Sequence, residues 1–199
     1  YFESSSIYSP VSYLPQALGI IMAKTVHLPL LSYIYIGRIF NALFFISVVY
    51  FAIKIIPRGK WVILAVALLP TSITAAASLS PDAIVISLVL LVVAYYIKGF
   101  ISKTPFSYKE IVIITLSLTA ISLTKQAYFP LIFLFIFLPM MNSFGSRKRY
   151  MLTNLLFVLV GLSVTLIWYL LVSDVAKNVS VSLRPGANIN SAEQLRFII

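Results

Sequence analysis

An all-α, polytopic transmembrane helix bundle is the fold class this sequence predicts, on three observations. The chain of 199 residues is 61% hydrophobic and only 10% charged, with a mean hydropathy of +1.03, where soluble domains run near half apolar and a quarter charged. Its apolar residues gather into runs near the ~20 that a helix needs to cross a bilayer. Its basic residues fall in short clusters between those runs, the pattern of topology signals. The net charge of +10 comes without a basic stripe interleaved with aromatics, so nucleic acid is not an expected partner. Cysteine is absent, which removes disulfide frameworks and thiolate metal sites.

The elements follow in chain order. The segment 1–27 is expected on the outer face. It carries Pro10 and Pro15 and then an apolar stretch to Ala23, too short to span, which reads as an interfacial helix. Spans are expected at about Tyr35–Ile56, Trp61–Leu79, Asp82–Ile101 and Tyr150–Val172. Pro70 should kink the second, with Thr71, Ser72 and Thr74 re-satisfying the freed backbone groups. Pro57-Arg58-Gly59-Lys60 reads as a tight basic turn, and Ser107 with Glu110 as a capping box. The runs Ile111–Thr124 and Phe129–Met141 are each short for a full crossing, so the region predicts either six spans in all or four plus a re-entrant pair. Residues 173–199 are expected as an outer-face loop within a single transmembrane domain, 1–199. The opening Tyr1 and the apolar ending read as an internal piece of a longer protein.

Charge sets the orientation. Lys54, Arg58 and Lys60, then Lys98, Lys103 and Lys109, then Arg147, Lys148 and Arg149 all fall on one face, which the positive-inside rule makes cytoplasmic. Trp61, Tyr108 and Tyr150 take the aromatic-belt positions on that side.

Between Glu3 and Glu110 the only acid is Asp82, in Ser78-Leu79-Ser80-Pro81-Asp82-Ala83. An unpaired carboxylate in hydrocarbon is costly. Asp82 is therefore either the start of a helix, with Ser80 as N-cap and Pro81 at N1, or part of a site, and the two roles are compatible. Arg38 and Lys125 are expected at the same outer end, with Asn41 one turn below Arg38 and Gln126 beside Lys125. Two cations and a carboxylate there suit a phosphate-bearing lipid, although each cation could equally snorkel to headgroups. Glu3 is a weak candidate acid, base or ligand. His27 is the only histidine and has no second ligand near it, which argues against a metal. Asn178-Val179-Ser180 is a glycosylation sequon, relevant only in a eukaryotic host. Phosphate-binding loops, zinc-hydrolase and nucleophile-elbow motifs are absent.

The order Tyr8-Ser9-Pro10, Tyr13-Leu14-Pro15, Arg38 with Asn41, Pro70, the Ser-Pro-Asp turn at 80–82, Lys125 with Tyr128-Phe129-Pro130, and Ser191-Ala192-Glu193-Gln194-Leu195 resembles a bacterial multi-pass family, domain of unknown function twenty-one forty-two. That family is similar to the GT-C glycosyltransferases. The resemblance implies a protein of the bacterial cytoplasmic membrane that uses a polyprenyl-phosphate sugar at the outer face, with no cofactor beyond a possible divalent metal. It implies that Arg38, Asp82 and Lys125 belong to the lipid-phosphate and architectural part of the site, to which Asn41 and Gln126 are added as neighbouring candidates. It also implies a catalytic acid upstream of this chain, with Glu3 the one stand-in. The alternatives are a non-catalytic transporter or assembly subunit for lipid-linked glycans, and a structural membrane protein. Membrane lipids are partners in every case.

Overall fold

The computed structural model describes residues 9–102 and 104–182. They form an all-helical bundle: α1 (Leu14–Thr25), α2 (Leu30–Ile55), α3 (Lys60–Ala67), α4 (Pro70–Ala76), α5 (Asp82–Ile101), α6 (Tyr108–Thr124), α7 (Met140–Phe144) and α8 (Arg147–Ser182). Two 3-10 segments, Pro10–Tyr13 and Gln126–Phe137, complete it. Leu30–Ile55, Asp82–Ile101 and Arg147–Ser173 are long and apolar enough to cross a membrane. Large apolar side chains cover the outside: Leu30 is 78% exposed, Phe51 54% and Leu171 69%. A surface of that kind needs lipid or a partner to cover it.

Where the sequence leads one to expect a single kinked span over 61–79, the helix breaks. α3 stops at Ala67 and Pro70 opens α4 as one of its first residues, the place where a missing N–H costs nothing. Ser72 compensates as expected, donating its hydroxyl to the Val66 carbonyl at 2.9 Å. Thr74 donates to the carbonyls of Pro70 and Thr71. The basic turn is present, with Gly59 at φ +85° as N-cap of α3, a conformation that favours glycine.

α5 forms over the expected span and supplies the core, with Val92 and Ala94 wholly buried. α2 packs parallel to it, so that Asn41 lies beside the turn before α5 and Phe44 and Ser47 share a groove with Ile84 and Leu88. α6 runs antiparallel to α5 and is tied to it at both ends, Lys98 to Glu110 at one and Asp82 to Lys125 at the other. The capping box holds: Ser107 N–H donates to Glu110 Oε2 at 2.9 Å.

The chain then returns along Gln126–Phe137 to the end where Ser143 Oγ donates to the Gly99 carbonyl and Phe106 N–H to the Ser143 carbonyl. A 3-10 helix rises ~2.0 Å per residue against ~1.5 Å for an α-helix. Twelve residues of return therefore match the length of the seventeen in α6. The two runs that look short thus go down the bundle and back.

Aromatics close that end: Tyr95, Phe106, Phe144 and Tyr150 meet edge to face in series, as do Tyr96, Phe135 and Phe157. By this register Lys54, Arg58, Lys60, Lys98, Lys109 and Arg147–Arg149 all lie at one end of the bundle, called the basic end below. Among the described residues Glu110 is the acid that joins them. Trp61 and Tyr108 lie there too, 81% and 78% exposed.

Two expectations need correction. The last span is found as expected, within Arg147–Ser173, but residues 173–182 are not loop: α8 runs on to Ser182, because 162–182 holds neither glycine nor proline. The N-terminal helix is packed rather than free: α1 lies antiparallel against the first half of α2, joined by a short turn in which His27 has φ +57°. Small residues allow this close approach. A Cβ on Gly19 would stand 2.8 Å from the Ile36 carbonyl oxygen and 3.0 Å from Phe40 Cβ. A backbone oxygen cannot swing aside, so Gly19→Val should push α1 off α2 and destabilise the protein by about 1–3 kcal/mol. A lowered thermal midpoint in detergent checks this, with Gly59→Ala, which meets only Ile56 Cδ1 at 3.8 Å, as a turn-strain comparison.

Candidate functional site

The site is built around the turn between α4 and α5. α4 ends at Ala76 and the chain passes through Ser78 and Ser80 before α5 begins. Ser80 caps the new helix, accepting from Asp82 N–H at 3.1 Å, with Pro81 already helical. That is the expected cap, with the assigned helix start lying two residues on.

Asn41, fully buried on α2, reaches into this turn. Its Nδ2 donates to the Ser78 carbonyl at 2.8 Å and lies within 3.5 Å of the carbonyls of Ala75, Ala76 and Ser80. Gln16 of α1, 2% exposed, donates to the same Ser80 carbonyl at 3.2 Å. Two side-chain amides thus gather carbonyls that a helix end leaves without N–H partners.

At the rim of the turn Lys125 Nζ meets Asp82 Oδ1 at 2.6 Å, both side chains about half exposed. Lys125 stands just past the C-terminus of α6, where a cation is favoured, and Asp82 in the first turn of α5, where an anion is favoured. Further along α5 and α6, from Ile84 and Ala120, an apolar groove of about 610 Å³ opens between α1, α2, α5 and α6. Leu18, Phe40, Phe44, Ile84, Leu88 and Ala120 line it, and it starts within two residues of Asp82. Volumes of this order accept an extended apolar ligand. The ion pair at one end of α5 and α6 is thus followed, along the same two helices, by a groove whose own lining is almost wholly apolar.

The sequence candidates are therefore only partly brought together. Asp82, Lys125 and Asn41 converge on one turn. Arg38 does not join them: Gly37 and Asn41 face the turn while Arg38 stays exposed, its Cζ 6.0 Å from the centroid of the Tyr35 ring. At ~100° per residue Arg38 stands ~60° around α2 from Asn41 and Gly37 ~40° on the other side, so Arg38 falls at the edge of the face that meets the turn. Gln126 opens the returning 3-10 segment, and its side chain lies outside the described residues, as do Glu3 and 191–195. No cluster of metal ligands occurs among the described residues.

Gln16 escapes a reading by charge. The signal was a stripe: Ser12, Gln16, Gly19 and Ala23 recur at helical spacing and all are buried, marking the face of α1 that meets α2 and the turn.

Fold and surface together define an all-helical membrane protein with three helices long and apolar enough to cross a bilayer. The chain belongs to the family described as "Predicted membrane protein (DUF2142)", whose model matches residues 1–199. Compared with curated proteins and with solved structures, it finds no match.

Proposed function

We propose that this protein handles a polyprenyl-phosphate-linked sugar at the outer face of the bacterial cytoplasmic membrane, as a glycosyltransferase-like enzyme. The observation that carries the reading is that the Asp82–Lys125 pair joins the ends of α5 and α6, the two helices along which the apolar groove continues. A polyprenyl chain has the chemistry of the groove and its phosphate the chemistry of the rim. In this reading the basic end faces the cytoplasm, and α2, the α3–α4 pair, α5, α6, the return over 126–137 and α8 make six crossings.

The division of labour follows from charge. Lys125 neutralises the lipid phosphate as it departs, which lowers the barrier where negative charge develops. A lysine ammonium has three rotatable donors, and one that is half exposed can exchange between a carboxylate and a phosphate oxygen. Asp82 holds that ammonium when no lipid is present. A general base activating the acceptor hydroxyl completes the reaction.

Among the described residues, the buried Ser87 and Ser122 donate to carbonyls of their own helices, which favours this over a polar path for transport.

The test is transfer of radiolabelled sugar in membranes containing the full-length protein. Lys125→Met should lower transfer about tenfold, the loss of one charge-assisted contact to the phosphate, while Arg38→Ala should stay near wild type. Transfer unaffected by Lys125→Met would remove this turn from the mechanism.

A further inference from the structure

At the basic end, a second cleft of about 460 Å³ separates the start of α6 from the start of α8. Lys148 and Arg149 stand at its mouth with Tyr108, and Ile111, Leu152 and Leu156 continue it along the two helices. Cations at a helix N-terminus are placed against the helix dipole, so α8 does not gain from Lys148 and Arg149 being there.

Arg149 is also fixed in place rather than left to solvent. One terminal nitrogen donates to the Phe106 carbonyl, the guanidinium lies 4.8 Å over the Tyr108 ring, and Nε is buried without a hydrogen-bond partner. The nearest carboxylate on these elements, Glu110, is turned the other way. Its Oε1 takes the Lys98 ammonium and its Oε2 the Ser107 N–H. The cleft mouth therefore keeps its positive charge.

From this geometry we infer that the cleft between α6 and α8 is a binding site for an anionic glycerophospholipid. The phosphate sits at Lys148 and Arg149, and an acyl chain lies along Ile111, Leu152 and Leu156. An immobilised guanidinium beside a flexible ammonium suits a phosphate, and the polar mouth gives way to hydrocarbon along the helices as a lipid does. The site lies at the opposite end of the bundle from the Asp82–Lys125 groove and does not depend on the function proposed for that groove.

The experiment is native mass spectrometry of the full-length protein in neutral detergent with phosphatidylglycerol or phosphatidylcholine. Wild type should retain phosphatidylglycerol about fivefold better, the preference expected of one well-placed cation. Lys148→Gln should erase that preference. Arg147→Gln removes the same charge one residue away, outside the cleft lining, and should keep it. Leu156→Trp fills the cleft without altering charge and should lower retention of both lipids. Equal retention of the two lipids by wild type would overturn the site, as would equal losses from Lys148→Gln and Arg147→Gln. Displacement of the lipid by millimolar inorganic phosphate would overturn the lipid assignment.

Discussion

Asn41→Leu should destabilise the protein by about 2–3 kcal/mol, the largest stability effect expected of a single polar side chain here. The amide is fully buried and gathers the carbonyls of the α4–α5 turn, the closest being Ser78 at 2.8 Å. Leucine has a similar volume but no donor. The Ser80 carbonyl would keep Gln16 and the Ala75 carbonyl would keep Ser78, so the loss falls on the Ser78 carbonyl, at about 1–3 kcal/mol if it is fully stranded. Part of that is offset, because Asn41 Oδ1 is itself buried without a partner and leucine removes that unsatisfied acceptor. Asn41→Asp should be worse, since it sets a carboxylate against carbonyl oxygens in an apolar interior. Thermal unfolding in detergent should rank wild type above Asn41→Leu and Asn41→Leu above Asn41→Asp. An Asn41→Leu protein that melts with wild type would mean that the turn is held by other contacts.

Lys125→Met should have the opposite profile, with stability nearly intact and lipid use lost. The Asp82–Lys125 pair is about half exposed, and exposed pairs contribute about 0–1 kcal/mol to folding. Methionine keeps the apolar stem that packs beneath the charge. A phosphate that loses the Lys125 ammonium loses a charge-assisted contact of about 1.5–3 kcal/mol, or about tenfold or more in binding. Sugar transfer in membranes and a thermal midpoint measured on the same preparation check both halves of the prediction.

The membrane character of the fold was legible because it rests on composition and run length, which the bilayer reads directly. The α5 span was exact at both ends: Ser80-Pro81-Asp82 and Lys98-to-Ser102 bracket an uninterrupted apolar run. The capping box at Ser107 was legible for the same reason, as a local hydrogen-bond pattern. The region 110–141 was not, because length was judged at the α-helical rise while the return winds as a 3-10 helix with Pro130 inside it. Of the candidate site, Asp82 and Lys125 were visible as isolated charge. Which of Arg38 and Asn41 faces the turn was not legible, since the two are neighbours on the helix surface and packing decides between them. The groove itself was illegible: Phe40, Phe44, Ile84 and Leu88 look like ordinary lipid-facing residues until α1 packs beside them.

The most direct test of the proposed site compares a long-chain polyprenyl phosphate with the corresponding unphosphorylated polyprenol, binding to wild type and to Lys125→Met in the same detergent. Wild type should bind the phosphate about tenfold more tightly than the alcohol. Lys125→Met should bind both at the level of the alcohol, because the apolar groove remains. Equal affinity of wild type for phosphate and alcohol would contradict the assignment of this turn as a lipid-phosphate site, and so would a preference that survives the loss of Lys125.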